Sequence, residues 1–199
     1  AGNVFSVFTS VKTCGYTPFI IEKYKDIKRA DIIIIPGVGS FDNGMKFFIE
    51  TGIGEEIKEE IGKGKLFLGI CLGLQLLFDR SEEGNLEGLG IFDGIVRKFI
   101  SPDNTVKIPH MGWSIVKQIK NDILFLNIPD KSYFYFAHSY YVEIKEKDII
   151  YGITEHCISF PSVIKKNNVV GVQFHPEKSG KNGLKFLKNF LQHAFEKGE

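Results

Sequence analysis

Three short stretches carry the residues best suited to chemistry. The first is Gly69-Ile70-Cys71-Leu72-Gly73, which falls where an apolar run must turn sharply from a strand into a helix. A cysteine on such a turn is held in strained geometry, and flanking glycines let neighbouring backbone pass close by. The dipole at the start of the helix favours a thiolate there. The Leu72 N–H lies beside the sulfur, where it can donate to an oxyanion. The second stretch is Gly171-Val172-Gln173-Phe174-His175-Pro176-Glu177. His175 and Glu177 are two apart, so on extended backbone they face the same side. A carboxylate so placed can orient an imidazole whose other nitrogen reaches Cys71. The third is Pro36-Gly37-Val38-Gly39, a glycine-rich loop after a β-branched run, whose N–H groups can complete an oxyanion hole. Taken singly, each has a plainer reading: a small buried cysteine, a surface His beside a Glu, an ordinary turn. A phosphate loop is disfavoured because no Lys-Ser/Thr follows.

The surrounding elements must bring these stretches together. Asn3 is expected to cap a helix with Val4, Val7, Phe8 and Val11 on one face, ended by Gly15. Thr17 to Ile21 reads as a strand, and Asp31 to Ile35 as a buried parallel strand. Helices are expected at 42–50 and 53–62, a strand at Lys65 to Ile70, and a helix from there through Phe78. This β-α-β-α order implies an α/β fold, a mostly parallel open sheet flanked by helices. The second half reads as an antiparallel β excursion, with strands near 91–99, 105–109, 113–119, 133–144, 149–153 and 160–174. Asn167-Asn168 suits a hairpin turn. Ser81 to Gly90 reads as a surface loop. Gly183 to Lys197 closes the chain as an amphipathic helix. Residues 1–199 are read as a single domain. Because such sheets usually begin with a central strand feeding the first helix, an opening strand of roughly 6–10 residues is expected to be missing before residue 1.

Composition removes several function classes. The 199 residues carry 25 basic and 24 acidic side chains, a net charge of +1, which argues against nucleic-acid binding. Arg29, Arg80 and Arg97 are the only arginines, leaving few bidentate groups for phosphates. The longest uncharged apolar run, Leu66 to Phe78, is too short to span a bilayer. No signal peptide pattern is evident. Cys14, Cys71 and Cys157 cannot pair completely, which points to a reducing cytoplasm. His110, His138 and His156 are scattered without metal spacing, so structural roles are expected of them and no metal site is assigned.

Together the three stretches resemble the signatures of the triad (class I) glutamine amidotransferases, in particular the glutaminase subunit of imidazole glycerol phosphate synthase. Pro109-His110-Met111-Gly112-Trp113 and Ala137-His138-Ser139-Tyr140 are similar to further blocks of that subunit. The likeness runs from Asn3 to the last helix. It departs at the absent opening strand, at Ser114 where the family usually has Asn, and in the less typical segment 1–10. The resemblance implies that Cys71 attacks the side-chain amide of glutamine, with His175 as proton carrier and Glu177 orienting it. It implies an oxyanion hole from the backbone of Leu72, Gly37 and Val38, and substrate contacts at Gly39, Gln75, Ser139 and Tyr140. It puts Trp113, Tyr135 and Lys178 at a subunit interface and ammonia exit. It implies no cofactor, and a heterodimer with a (β/α)₈ barrel synthase subunit of histidine biosynthesis that receives the ammonia. A paralogue feeding a sugar-modifying enzyme of surface glycan synthesis would share the same glutaminase end. A non-catalytic partner-binding scaffold is disfavoured by the intact Cys71, His175 and Glu177. A cysteine peptidase is disfavoured by Gln75 and the Gln173–Ser179 block.

Overall fold

The computed structural model describes residues 2–21, 23–37, 39–101, 103 and 105–196, and the side chains of 2, 3 and 193–196 are outside that description. Helix α1 (Gly2–Thr13) leads through Gly15, at φ 93°, to an extended segment and the short helix α2 (Tyr24–Ile27). Strand β1 (Ile32–Gly37) follows, then α3 (Phe41–Thr51), α4 (Ile53–Gly62), β2 (Leu66–Cys71) and the four-residue α5 (Leu72–Gln75). Strands β3 (Phe78–Ser81), β4 (Phe92–Lys98), β5 (His110–Gln118), β6 (Ser132–His138), β7 (Tyr140–Ile144), β8 (Ile150–Glu155), β9 (Ser159–Lys166) and β10 (Val169–Val172) come next, and α6 (Gly180–Glu196) closes the order.

Seven strands form one sheet in the order β1-β2-β10-β9-β8-β5-β6, and β3-β4-β7 form a second. β2 lies between β1 and β10, parallel to both, so the carboxyl ends of three strands converge where Cys71 sits. The remaining strands of the large sheet pair antiparallel, as the second half of the sequence implies. The α/β class is as expected.

Alternation along β2 shows how the layers are built. Leu66, Leu68 and Ile70 pack with Val7 and Val11 of α1 and with Phe186, Leu187 and Phe190 of α6. Phe67 points the other way, among Met45 and Phe48 of α3, Ile57 of α4 and residues of the small sheet. Each face of the strand is therefore buried under a different pair of helices. No helix among the described residues is long and apolar enough to cross a membrane.

Several elements differ from the sequence reading. Thr17 to Ile21 joins no ladder. An apolar groove of about 870 Å³ separates it from β1. The helix after Cys71 does not run through Phe78: it ends at Gln75, Phe78 opens β3 and pairs with Phe92 of β4, and the Leu76 and Leu77 carbonyls accept from the returning backbone at Leu89, Ile91 and Phe92. Ser81 is thus the last residue of a strand and not the first of a loop. Residues 105–109 form no strand: Pro109 has no N–H to give, and the Val106 N–H goes to Ser101 Oγ at 3.2 Å. The stretch 133–144 breaks at Ser139, where the chain leaves the large sheet for the small one and the Ser139 carbonyl accepts from Phe99 N–H. α1 is already under way at Gly2, so Asn3 lies inside the helix and is not its cap.

Candidate active site at the carboxyl end of strand β2

Cys71 occupies the joint between β2 and α5 with φ 54° and ψ −107°. Positive φ in a non-glycine residue costs on the order of 1–3 kcal/mol and persists only where the surroundings enforce it. Here they do. A Cβ on Gly73 would run into the Ile35 carbonyl of β1, and one on Gly69 would come within 2.5 Å of the Gly73 oxygen. The glycines flanking Cys71 allow the turn to pack this tightly. Cys71 is buried, with Sγ 3.9 Å from the Ala137 carbonyl and 3.6 Å from Gln173 Nε2.

His175 arrives from the next strand. β10 pairs with β2 in register Gly171↔Gly69 and Val172↔Ile70, so the chain leaving β10 runs alongside Cys71. The His175 backbone is pinned to β6 by its N–H to the Tyr135 carbonyl (2.8 Å) and by Ser179, whose hydroxyl donates to the His175 carbonyl at 2.6 Å. The side chain hydrogen-bonds Cys71 on one side and Glu177 Oε1 on the other, the latter at 2.9 Å from Nδ1. Glu177 does not lie on extended backbone as the spacing suggests. It sits in a 3-10 turn, Pro176–Lys178, which brings its carboxylate back under the ring. Burial pushes the imidazole toward neutrality, but the bonds to Cys71 and Glu177 outweigh it and lift its pKa to about 9. At neutral pH the ring therefore carries a proton beside the sulfur. The second carboxylate oxygen, Glu177 Oε2, is buried with no hydrogen-bond partner.

The other expected positions fall around this group. Leu72 opens α5, placing its N–H at the joint. Gly37 is opposite Cys71 in the β1–β2 register, and Gly39, exposed, has φ 127°. Val38 lies outside the described residues. Gln75 donates to the Tyr140 carbonyl (3.0 Å) and to Gln173 Oε1 (3.2 Å). Ser139 and Tyr140 are half-buried at the sheet change. Trp113, Tyr135 and Lys178 form a second cluster. Trp113 is opposite Tyr135 in the β5–β6 register, the two rings meet edge to face at 6.1 Å, and Lys178 Nζ lies 5.9 Å from the Tyr135 centroid. Around them Met111, Trp113 and Tyr133 are each more than half exposed and lie on one face of the β5–β6 pair.

The histidines scattered in the sequence are gathered in space. His110 stacks on His156 at 4.1 Å and hydrogen-bonds His138, between strands β5 and β6. Burial holds His110 down to about 4 and His138 to about 3, with neighbouring imidazoles adding to both effects and the bond to the Tyr140 carbonyl opposing it for His138. Nothing in local spacing marks this cluster, since it depends on a register between strands some twenty-eight residues apart. Gln173 is visible in the sequence as part of a motif but without a role. Its contact with Cys71 depends on the parallel pairing of β10 with β2. Among the described residues the one group of carboxylates within metal-binding reach is Glu56, Glu59 and Glu60, remote from Cys71 and paired with lysines 28, 63 and 65.

An elbow cysteine facing a buried His–Glu pair at the carboxyl ends of parallel strands is an arrangement suited to cysteine chemistry in an α/β fold. Residues 4–194 match the family glutamine amidotransferase class-I, and the chain belongs to it. It is 51% identical over 191 residues to imidazole glycerol phosphate synthase subunit HisH of Caldanaerobacter subterraneus subsp. tengcongensis, covering 95% of this chain and 92% of that one. It is 43% identical over 192 residues to the subunit of the same name from Gloeothece citriformis, covering 96% and 90%. Among solved structures, the glutaminase domain of Trypanosoma brucei CTPS superposes with a TM-score of 0.70 at 17% identity, over 96% of this chain and 88% of that one, a likeness of fold.

Proposed function

We propose that this chain hydrolyses glutamine to glutamate and passes the ammonia to a (β/α)₈ barrel partner. In the heterodimer, the partner makes imidazole glycerol phosphate and an aminoimidazole carboxamide ribotide in histidine biosynthesis. The observation that carries the reading is the buried Cys71–His175–Glu177 arrangement on the β2 elbow. The relatives support the pathway: by name they are subunits of a larger synthase, at up to 51% identity. Cys71, Cys14 and Cys157 are free thiols, in keeping with a cytoplasmic setting.

In this mechanism the Cys71 thiolate adds to the amide carbon of glutamine. The resulting oxyanion takes hydrogen bonds from the Leu72 N–H and from the Gly37–Val38–Gly39 loop. His175 gives its proton to the departing nitrogen, the C–N bond breaks, and ammonia leaves a thioester on Cys71. His175, now neutral, takes a proton from water. The hydroxide adds to the thioester carbonyl, and glutamate departs as the thiolate reforms beside the imidazolium. Glu177 stays ionised throughout and holds the Nδ1–H. Gly39, Gln75, Ser139 and Tyr140 line the substrate side. Trp113, Tyr135 and Lys178 form the face that meets the partner, with Lys178, next to Glu177 in sequence, at the ammonia exit.

The test is glutamine turnover by the chain alone, with a barrel partner, and with partner plus its nucleotide ligand, for wild type and Cys71→Ala. Turnover that survives in Cys71→Ala overturns the reading.

A further inference from the structure

His110 and His138 take no part in the chemistry above, yet contacts run without a break from them to the reacting sulfur. Ser114 Oγ is 2.7 Å from His110 Nε2, His110 Nδ1 is 3.0 Å from His138 Nε2, and His138 Nδ1 is 2.7 Å from the Tyr140 carbonyl oxygen. That oxygen also accepts from Gln75 Nε2 at 3.0 Å. Gln75 Nε2 donates in turn to Gln173 Oε1 at 3.2 Å, and Gln173 Nε2 is 3.6 Å from Cys71 Sγ.

The proton positions along this series follow from one group. A carbonyl only accepts, so His138 Nδ1 carries hydrogen. Both rings are buried and neutral, so His138 Nε2 is bare and must accept from His110 Nδ1–H. His110 Nε2 is then bare too, and the Ser114 hydroxyl must donate. On the other side, the end of Gln75 that faces the carbonyl must be its NH₂. Its second hydrogen goes to Gln173, which therefore presents oxygen to Gln75 and nitrogen to Cys71. The series ends on a carbonyl, so it carries orientation and not a proton.

We propose that Ser114, His110 and His138 are positioning residues for the nucleophile: their one-way hydrogen bonds clamp the Tyr140 carbonyl so that Gln75 and Gln173 are turned with an N–H toward Cys71 Sγ. The clamp acts where it is needed, since Tyr140 follows the residue at which the chain changes sheets. An N–H aimed at sulfur favours thiolate. With the clamp released, the Gln173 amide is free to turn its oxygen to the sulfur, which accepts S–H and favours the thiol. The titratable and charged groups around the series, among the described residues, are His175 with Glu177 behind it, His156 stacked on His110, and Glu82 and Glu83 acting on Tyr140. The proposal rests on Cys71 being the nucleophile.

The test is the pH dependence of Cys71 alkylation by iodoacetamide in the full chain, read by peptide mass, with Cys14 and Cys157 as internal references. His138→Leu is expected to move the Cys71 profile up by about one pH unit, roughly a tenfold lower rate on its acid limb. His138→Asn, whose Nδ2 stands where Nδ1 was, keeps the donor to Tyr140 but loses the acceptor that His110 Nδ1–H uses, and should fall between His138→Leu and wild type. Gln173→Leu should give the His138→Leu shift, and the double variant no more than either alone. Ser114→Val should shift the profile in the same direction and Ser114→Thr should not. A wild-type profile in His138→Leu alongside a shifted Gln173→Leu overturns the proposal, as does His138→Asn behaving like His138→Leu. If His138→Leu fails to fold, the Ser114 pair decides, and identical profiles for Val and Thr overturn it. Alkylation needs neither glutamine nor partner, so failure here leaves the glutaminase reading standing, and that reading is tested separately by Cys71→Ala.

Discussion

Replacing Glu177 by Gln isolates the worth of one buried charge. The bond from His175 Nδ1 to Glu177 Oε1 is 2.9 Å long, between side chains 1% and 0% exposed, so neither solvent nor salt screens it. Gln keeps an oxygen for Nδ1–H but removes the charge. A hydrogen bond to a charged group contributes about 1.5–3 kcal/mol against about 1 for a neutral pair. The difference, roughly 0.5–2 kcal/mol, corresponds to about a 2- to 30-fold fall in a rate that needs the imidazolium. His175→Ala removes the proton carrier itself, a loss of about 10²–10⁴-fold. The expected order is therefore wild type, then Glu177→Gln, then His175→Ala, in kcat for glutamine hydrolysis with partner and ligand present. The new amide NH₂ falls where Oε2 has no partner, so Glu177→Gln should also melt at lower temperature. Its alkaline activity limb should move down from near pH 9 toward the ordinary imidazole range. Reversed ranking, or an unmoved alkaline limb, would show that Glu177 does not orient and charge His175.

Three further outcomes are expected. A glutamine-like electrophile should label Cys71 and spare Cys14 and Cys157 in peptide mapping, while Cys71→Ala loses glutaminase activity yet leaves synthesis from free ammonia intact. Stability should peak near pH 6.5 and fall on both sides. His175 keeps its proton to about pH 9 when folded, so its contribution is complete below the unfolded value of 6.5 and lost as pH rises through 9. His110 and His138 resist protonation to about 4 and 3, so theirs is lost as pH falls below 6.5 toward those values. Denaturant midpoints at pH 4, 6.5 and 9 check this; His175→Ala should flatten the alkaline side and His138→Asn the acid side. Finally, partner plus nucleotide ligand should raise glutamine turnover by about 10²–10³-fold, the value of one oxyanion donor, through a peptide turn at the Gly37–Gly39 loop. Gly39 at φ 127° has the backbone freedom this needs, and equal rates with and without the complex would rule it out.

The local part of this architecture is legible in the sequence because local rules govern it. The β-branched run at Ile32–Ile35 and the glycines around Cys71 give β1, β2 and the elbow between them. What escapes is set by pairing at a distance. Asn3 loses its capping place because the helix begins at Gly2, and Thr17 to Ile21 has strand-like composition but no neighbour to pair with. The helix after Cys71 stops short because Phe78 is taken into the small sheet, opposite Phe92. At the site, Cys71, His175 and Glu177 are readable as types at telling positions. The turn that folds Glu177 under the ring, the histidine cluster and the Gln75–Gln173 contact all depend on strand registers that a single sequence does not display.

The place of β10 has a consequence for how the chain acquires activity as it is made. Gln173 and Cys71 are 102 residues apart, and the strand that delivers Gln173 and His175 enters between β2 and β9 only when nearly the whole chain exists. β9 and β10 form a hairpin by local pairing, whereas the union of β10 with β2 closes one of the longest loops in the molecule. Contacts of such high sequence separation form late and slowly. Until then Cys71 has neither His175 nor the Gln173 amide beside it. Completion of the sheet is thus the step that assembles the surroundings of Cys71, so the reactivity of that thiol would serve as a clock for the last stage of folding.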